Sequence, residues 1–183
     1  MKYFLTFSLL FLIHRSCYSQ DTIRNASHTK LSVSKGRFDS LKVRVPQARG
    51  MINDFTQLFA DNEVKSLDSL VSTYEKKTTI EIAVATVDAK MVKLQDFDDY
   101  SLVMARVWGI GKKESGNGIL VLISTDLRRI RVENGTGIEK VLSDDETQQI
   151  INNVFIPKFK EGKFFEGTRQ GIMAIIDKLN QGL

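Results

Sequence analysis

This chain of 183 residues has few of the residues that most catalytic and metal sites use. It contains one cysteine and two histidines, and of these Cys17 and His14 fall in the first 19 residues, so that only His28 follows. Phosphatases with a cysteine or histidine nucleophile, and hydrolase triads built on histidine, therefore lack their central group. Zinc lacks its usual ligands, and a single cysteine cannot form a disulfide within the chain.

The sequence also lacks an apolar run of about 20 residues, the length that a membrane-spanning helix needs. Residues 3–13 are an apolar stretch between Lys2 and a small residue, Ser19, at a cleavage position. This pattern is typical of a secretory signal peptide. We therefore expect residues 1–19 to be removed on export, and the mature chain to be periplasmic or extracellular with no transmembrane segment. The alternative is a lipoprotein anchored through Cys17.

The formal net charge is +4, and two of the positive charges lie in the predicted signal peptide. Much of the remaining excess lies in residues 20–49, where Lys and Arg are diluted by Ser, Thr and Asn without any helical or strand period. Such a segment indicates a disordered polar leader and not a nucleic-acid-binding arm. We expect residues 50–183 to form one domain and the protein to be a monomer.

From residue 51 onward the apolar periodicity alternates between helix and strand. Helices are predicted around 61–74, 97–107, 143–154 and 165–179, and strands around 80–87, 119–123 and 130–132. Ser143 and Glu146 form a capping box for the third helix, which Pro157 is expected to end. The strand at 119–123 is apolar on both faces, so it should be central and parallel to the strand before it. The predicted fold is an α/β three-layer α/β/α sandwich around a mixed sheet, with parallel central strands and an antiparallel hairpin strand.

Four polar residues are expected at one edge of this sheet. Asp88 and Asp126 follow the two parallel strands, and Asn53 and Asp54 stand ahead of the first helix at the same edge. Open α/β sheets usually bind ligands at the carboxyl ends of their parallel strands. Oxygen ligands without histidine suit a hard cation such as Ca²⁺, so these residues are the predicted metal site. The alternative is that Asp54 caps a helix and Asp126 shapes a turn.

A second polar group is expected at the opposite edge, where glycine-bearing loops can expose backbone N–H groups to an anion. The glycine spacing matches neither a dinucleotide fingerprint nor a P-loop, so it predicts no nucleotide site. Trp108 is expected to anchor a helix end in the core, the alternative being a stacking platform, and Glu139 to accept hydrogen bonds from nearby amides, the alternative being an acid near a pocket. The group comprises Trp108, Gly109, Gly111, Asn117, Gly135, Gly137 and Glu139.

Several short motifs follow one another in an order that resembles the TPM domain, a family named partly for a thylakoid lumen phosphatase-like protein. The motifs are Ile52-Asn53-Asp54-Phe55, Trp108-Gly109-Ile110-Gly111, Asn117-Gly118, Asp126 with Arg128 and Arg129, Gly135-x-Gly137-x-Glu139, and Pro157 with Phe159. The resemblance implies an extracytoplasmic α/β/α domain in a family that includes described calcium binders and acid phosphatases. Gly116, Thr136 and Thr79 depart from the family's usual acidic, aromatic and glycine residues at those positions.

The residues and the resemblance together predict a secreted or periplasmic TPM-type module. We expect it to bind calcium and to act in the binding or maintenance of other envelope or membrane proteins. The alternative is a weak metal-dependent acid phosphatase that uses metal-activated water held by Asp54, Asp88 and Asp126. Asp96 and Asp98 flank a phenylalanine as in an aspartyl-phosphate motif, but they belong to a helix and are expected to form a solvated face.

Overall fold

The computed structural model describes residues 32–182, so the predicted signal peptide and the first part of the predicted leader lie outside the described residues. The described strands are β1 (Ile52–Asp54), β2 (Glu81–Thr86), β3 (Gly118–Ser124) and β4 (Arg129–Asn134). The α-helices are α1 (Lys35–Lys42), α2 (Asp61–Thr78), α3 (Phe97–Trp108), α4 (Asp144–Ile150), α5 (Ile156–Lys160) and α6 (Phe164–Gly182). None of the described helices is both long and apolar enough to cross a bilayer.

The four strands form one sheet in the order β1-β2-β3-β4. The first three strands are parallel, and β4 pairs with β3 antiparallel. Every residue of β3 is buried, as expected for a central strand covered on both faces. A short turn after β3 leads directly into β4, which gives the predicted hairpin. The predicted α/β/α architecture with a mixed sheet is confirmed.

Two apolar cores cover the two faces of the sheet, because successive strand residues point to opposite sides. The larger core joins α2, α6 and the helices between Asp144 and Lys160 to one face through residues such as Leu67, Ile119 and Ile172. The smaller core places α1 and α3 on the other face, around Phe97 and Tyr100. Burying one large apolar side chain contributes about 1.5–3 kcal/mol relative to leaving it exposed. Apolar packing therefore holds a layer of helices against each face of the sheet.

The last part of the predicted leader is an ordered segment, which we call the strap (residues 32–49). Its helix α1 packs against α3 and buries Leu41 in the smaller core. Tyr100 is fully buried beneath it and donates a hydrogen bond to the carbonyl of Arg44 at 3.0 Å. Burial raises the pKa of Tyr100 to about 12. The prediction of disorder is wrong for the strap, because its order comes from contacts with α3 and not from a local period.

Ion pairs fix the strap to the segment that the sequence analysis assigns to a solvated face. Arg37 Nη2 lies 2.9 Å from Asp96 Oδ1, and Arg37 Nε lies 2.6 Å from Asp99 Oδ2. Asp96 is 7% exposed. Asp98, on the same helical turn, pairs with Arg129 of β4 at 2.9 Å. These carboxylates are structural ion-pair partners, and the solvated-face interpretation is wrong.

The third predicted helix does not end at Pro157. It continues from α4 through a π-helical turn, Ile151–Phe155, into α5, where Pro157 lies in the first turn. A proline needs no N–H partner in a first turn, and the wider π-turn changes the hydrogen-bond register just ahead of it. Phe155 then packs so closely on α6 that a methyl group at Gly171 would overlap its ring.

Candidate functional site

We call Asn53, Asp54, Asp88 and Asp126 the aspartate edge, since all four lie where parallel strands end. Asn53 and Asp54 reach this edge as the last residues of β1, opposite Ala85 and Thr86 of β2. The sequence predicts both residues at this edge but not the strand itself, because three residues are too few to show a strand period.

The side chains of Asp54 and Asn53 hydrogen-bond to the backbone on either side of β1. Asp54 Oδ1 accepts hydrogen bonds from Leu58 N–H at 3.0 Å and from the Thr86 hydroxyl at 2.6 Å, while its Oδ2 accepts from Phe59 N–H at 2.8 Å. Asn53 is 2% exposed, and its side chain bonds to the backbone just before β1. Both oxygens of Asp54 thus satisfy N–H groups ahead of α2, as a capping residue does.

Asp88 and Asp126 stabilise two neighbouring turns. Asp126 Oδ2 accepts from Ala89 N–H at 2.8 Å, and its Oδ1 accepts from the Ser124 hydroxyl and from Leu127 N–H. Partial burial alone would raise the pKa of Asp126, but these hydrogen bonds outweigh it and hold the pKa below its ordinary value. Asp88 Oδ1 accepts from the two N–H groups that follow Ala89. Asp126 therefore bonds to the residue next to Asp88, and both carboxylates hold turns.

The aspartate edge does not form a complete metal-binding cluster. Across residues 32–182, no three Asp, Glu, His or Cys side chains are close enough to hold one ion. Oxygens of Asn53, Asp54 and Asp126 already accept hydrogen bonds, so a cation there would have to share them with those donors. The backbone bonds of Asp88 go to Oδ1, and Asp126 bonds to the next residue, Ala89, so Asp88 and Asp126 are the two predicted ligands that the turns bring together. Calcium binding stays a prediction.

The opposite edge carries a cleft of about 600 Å³, which we call the glycine-loop cleft. It lies between the C-terminal half of α3, the loop that follows it, and the loop after β4. Of the second predicted group, Gly109, Gly111, Gly135 and Glu139 line the cleft, whereas Trp108, Asn117 and Gly137 do not. Pockets of this volume are within the range that binds small molecules.

Beside the cleft, the loop after β4 passes so close to the loop after α3 that a side chain would not fit between them. A methyl group at Gly137 would overlap the carbonyl oxygen of Ser115, and one at Gly135 would overlap that of Gly116. Asn117 fixes the loop after α3 through its Oδ1, which accepts from Lys112 N–H at 2.7 Å. Trp108 is half-buried and donates from Nε1 to the carbonyl of Pro46 at 2.8 Å, so it anchors the strap as well as the core.

The charged residues of the cleft are mostly ones that the sequence analysis does not single out. Three cations at the cleft, Arg106, Lys112 and Lys113, are exposed, and their side chains bond to no other residue in the part of the chain that the structure describes. Carboxylates from Glu133, Glu139 and Asp144 also line it. The cleft is therefore a polar site with charges of both signs.

Arg131 of β4 lines the same cleft and is 6% exposed. Its Nε donates to Glu133 Oε1 at 2.8 Å, and the Ser101 hydroxyl of α3 donates to the same oxygen. The alternation of charged and apolar residues along β4 is typical of a strand with one solvated face, whereas here α3 covers that face. The sequence does contain a sign that the charges of β4 have partners. Ser101 and Asp98 put polar groups, one turn apart, on the side of α3 that packs on that strand.

The fold and the cleft define a three-layer α/β domain with a ligand-sized site at one end of its sheet. A sequence profile of the TPM domain matches residues 52–178, so the chain belongs to the TPM domain family. Among curated proteins no relative matches this chain.

Solved structures with this fold include the N-terminal domain of a protein from P. gingivalis, which is 27% identical with a TM-score of 0.67 and covers 78% of this chain and 89% of its own. BA42 from Bizionia argentinensis is 22% identical with a TM-score of 0.60, over 70% of this chain and 86% of its own. The N-terminal domain of cg2496 from Corynebacterium glutamicum is 11% identical with a TM-score of 0.51, over 75% and 82% of the two chains. The last two similarities establish the fold alone.

Proposed function

We propose that this TPM domain is an exported binding module that holds other envelope proteins at its glycine-loop cleft and does not turn over a substrate. The observation that carries this proposal is the composition of the cleft, which offers exposed cations and glycine backbone. Among the described lining residues the only hydroxyl is that of Thr136, and it is not hydrogen-bonded to a base. Nucleophilic catalysis needs such an activated group, whereas binding does not.

A crosslinking experiment tests the binding role. A photoreactive amino acid at Lys113, exposed at the cleft, is expected to crosslink a defined protein in the exporting cell. The same group at Lys65, an exposed lysine of α2 on the other face of the sheet, is the matched control and should not. The crosslinked partner is then purified, and its affinity is measured for the wild type and for Lys113→Gln. Equal crosslinking from both positions, or equal affinities, would contradict the proposal.

Export itself rests on the first 19 residues of the sequence. N-terminal sequencing of the protein from the medium or periplasm should find a chain that begins at or near Gln20. An intact Met1 would contradict export, and a lipid on Cys17 would replace the secreted form by an anchored one.

Calcium binding at the aspartate edge is the second candidate function. It is supported by the adjacency of Asp88 and Asp126, whose hydrogen bonds described above come from neutral backbone and hydroxyl groups. A cation that binds only the folded state raises the melting temperature. We expect Ca²⁺ to raise it more than Mg²⁺ does, because Mg²⁺ demands stricter geometry. Asp126→Asn should remove this rise and Glu139→Gln should preserve it; the reverse pattern would move the site to the cleft.

The metal-dependent phosphatase is the weaker alternative for the same edge. It requires Asp54, Asp88 and Asp126 to hold one metal-activated water, and among residues 32–182 no three such side chains are close enough to hold one ion. Turnover of p-nitrophenyl phosphate in the presence of Ca²⁺ or Mg²⁺, abolished by Asp126→Asn, would establish the phosphatase and displace the binding module. We expect no turnover.

A further inference from the structure

The side chain of Arg131 is a buried cation with an unsatisfied donor. Only 7% of the side chain is exposed, and its ion pair with Glu133 is made through Nε. Nη1 is buried and has no hydrogen-bond partner among residues 32–182. A buried donor of a charged group is costly to leave without an acceptor. Because Arg131 lines the glycine-loop cleft, a ligand in the cleft can supply that acceptor once the guanidinium turns towards it.

The charges around the cleft indicate what kind of acceptor it takes. The cations Arg106, Lys112, Lys113 and Arg131 are set against the carboxylates of Glu133, Glu139 and Asp144. Four cations against three carboxylates leave an excess of one positive charge, which a singly charged anion neutralises, whereas a doubly charged phosphate would leave the cleft negative. Apolar lining by Leu102, Ile110 and Leu120 adds room for a hydrocarbon group beside the anion.

We propose that the cleft binds a carboxylate at the end of a polypeptide, and that one carboxylate oxygen accepts a hydrogen bond from Arg131 Nη1. The inference rests on the proposed function and names the chemistry by which the partner is recognised. Guanidinium and carboxylate groups form short charge-assisted hydrogen bonds, which are about twice as strong as neutral ones. The exposed Arg106 and the lysines attract the carboxylate to the cleft, and Arg131 fixes its position inside.

The proposal is tested by NMR titration of the full chain with four probes: a short acetylated peptide with a free carboxyl terminus, its amidated twin, acetate and inorganic phosphate. The readout is the set of guanidinium N–H signals of Arg131 together with the amide signals of the loop glycines. The free-carboxyl peptide is expected to shift these signals in a saturable way, and the amidated peptide is expected to leave them unchanged. Acetate should bind at least about tenfold more weakly, since it lacks the rest of the chain.

Variants separate recognition from folding. Arg131→Lys keeps the positive charge but loses the guanidinium, and should weaken peptide binding by about tenfold. Arg129→Lys is the matched control: Arg129 lies two residues earlier on the same strand face, pairs with Asp98 and does not line the cleft. It should leave the affinity within about twofold. If Arg131→Lys does not fold, Arg106→Gln at the exposed side of the cleft should still weaken binding severalfold.

Four results would overturn the inference. Phosphate could shift the Arg131 signals more strongly than the peptide does, or acetate could bind as tightly as the peptide, which would indicate a free small anion. Arg129→Lys could weaken binding as much as Arg131→Lys does. Finally, none of the four probes could shift the signals, which would indicate that Nη1 donates to water and not to a ligand. In that last case a crosslink at Lys113 that is absent at Lys65 would still support the binding module, so the two proposals fail separately.

Discussion

The aspartate edge and the glycine-loop edge both gather polar groups at the ends of strands, but they use them differently. At the aspartate edge, oxygens of Asp54 and Asp126 accept hydrogen bonds from nearby backbone N–H groups. At the other edge, glycines let backbone segments cross closely, and charged side chains surround a cleft of about 600 Å³. An aspartate after a strand either holds the backbone of a turn or is left to bind a ligand. The positions of the adjacent N–H groups decide between these two roles.

Substitution of Gly137 should have the largest effect on the glycine-loop edge. In Gly137→Ala the new methyl group would overlap the carbonyl oxygen of Ser115. Forcing an extra methyl group into a packed region costs about 1–3 kcal/mol, so the urea midpoint should fall clearly. Gly50→Ala is the control, because nothing lies within 4 Å of that position. Equal midpoints for the two variants would show that the loop relaxes without cost.

Asp54→Ala tests whether the aspartate edge is structural. The substitution leaves Leu58 and Phe59 N–H without their acceptor, which should lower the free energy of unfolding by about 1–3 kcal/mol. The loss should be the same in EDTA and in Ca²⁺, because Asp54 acts as a cap. Asp68→Ala, at an exposed position of α2, should change little. A loss that grows in Ca²⁺ would make Asp54 a metal ligand instead.

Substitution of Thr79 should increase the stability of the domain, because the backbone of Thr79 is strained. It caps the C-terminus of α2, directly after Thr78, with a φ of 65°, in the left-handed region that β-branched residues rarely adopt. Thr79→Gly should raise the free energy of unfolding by about 1 kcal/mol, the lower end of the cost of such strain. Thr79→Ala keeps a Cβ and should gain less. Denaturant unfolding measures both, and a loss of stability in the glycine variant would assign the Thr79 side chain a packing role.

The smallest expected effect depends on pH and concerns Glu146 in the first turn of α4. Hydrogen bonds from Lys178 and from Ser143 lower the pKa of Glu146 from 4.5 to about 2. Because the folded pKa is the lower one, this contribution is complete above pH 4.5 and is lost as the pH falls through about 2. Glu146→Gln should therefore melt slightly below the wild type at pH 7 and level with it near pH 2. A constant difference would exclude the titration of Glu146 as its source.

The sequence predicts the long elements well because their periods are unambiguous. Leu67, Val71 and Tyr74 recur at helical spacing in α2, and the apolar run of β3 is buried throughout. The capping box at Ser143 is present as predicted, with Glu146 N–H donating to the Ser143 hydroxyl. The strap and β1 are missed because a helix with buried Leu41 alone and a strand of three residues leave almost no pattern.

The candidate site is less predictable than the fold. The glycines of the cleft are visible in the sequence as an anion-binding possibility, and the four residues of the aspartate edge are placed correctly. Whether Asp54 holds a backbone turn or a ligand depends on Leu58 and Phe59, whose N–H groups meet it only in three dimensions. The role of Arg131 depends on α3 covering β4, a tertiary contact that charge alternation alone does not reveal.

The charges of β4 also bear on aggregation. β4 and β1 are the two edge strands of the sheet, and unpaired strand edges can add strands from other molecules. β1 is only three residues long, and β4 carries Arg129, Arg131 and Glu133 on the face towards α3. Short edges and inward-facing charges both oppose such addition. Replacing Arg131 by an apolar residue should therefore increase fibril formation on storage, even where the domain still folds.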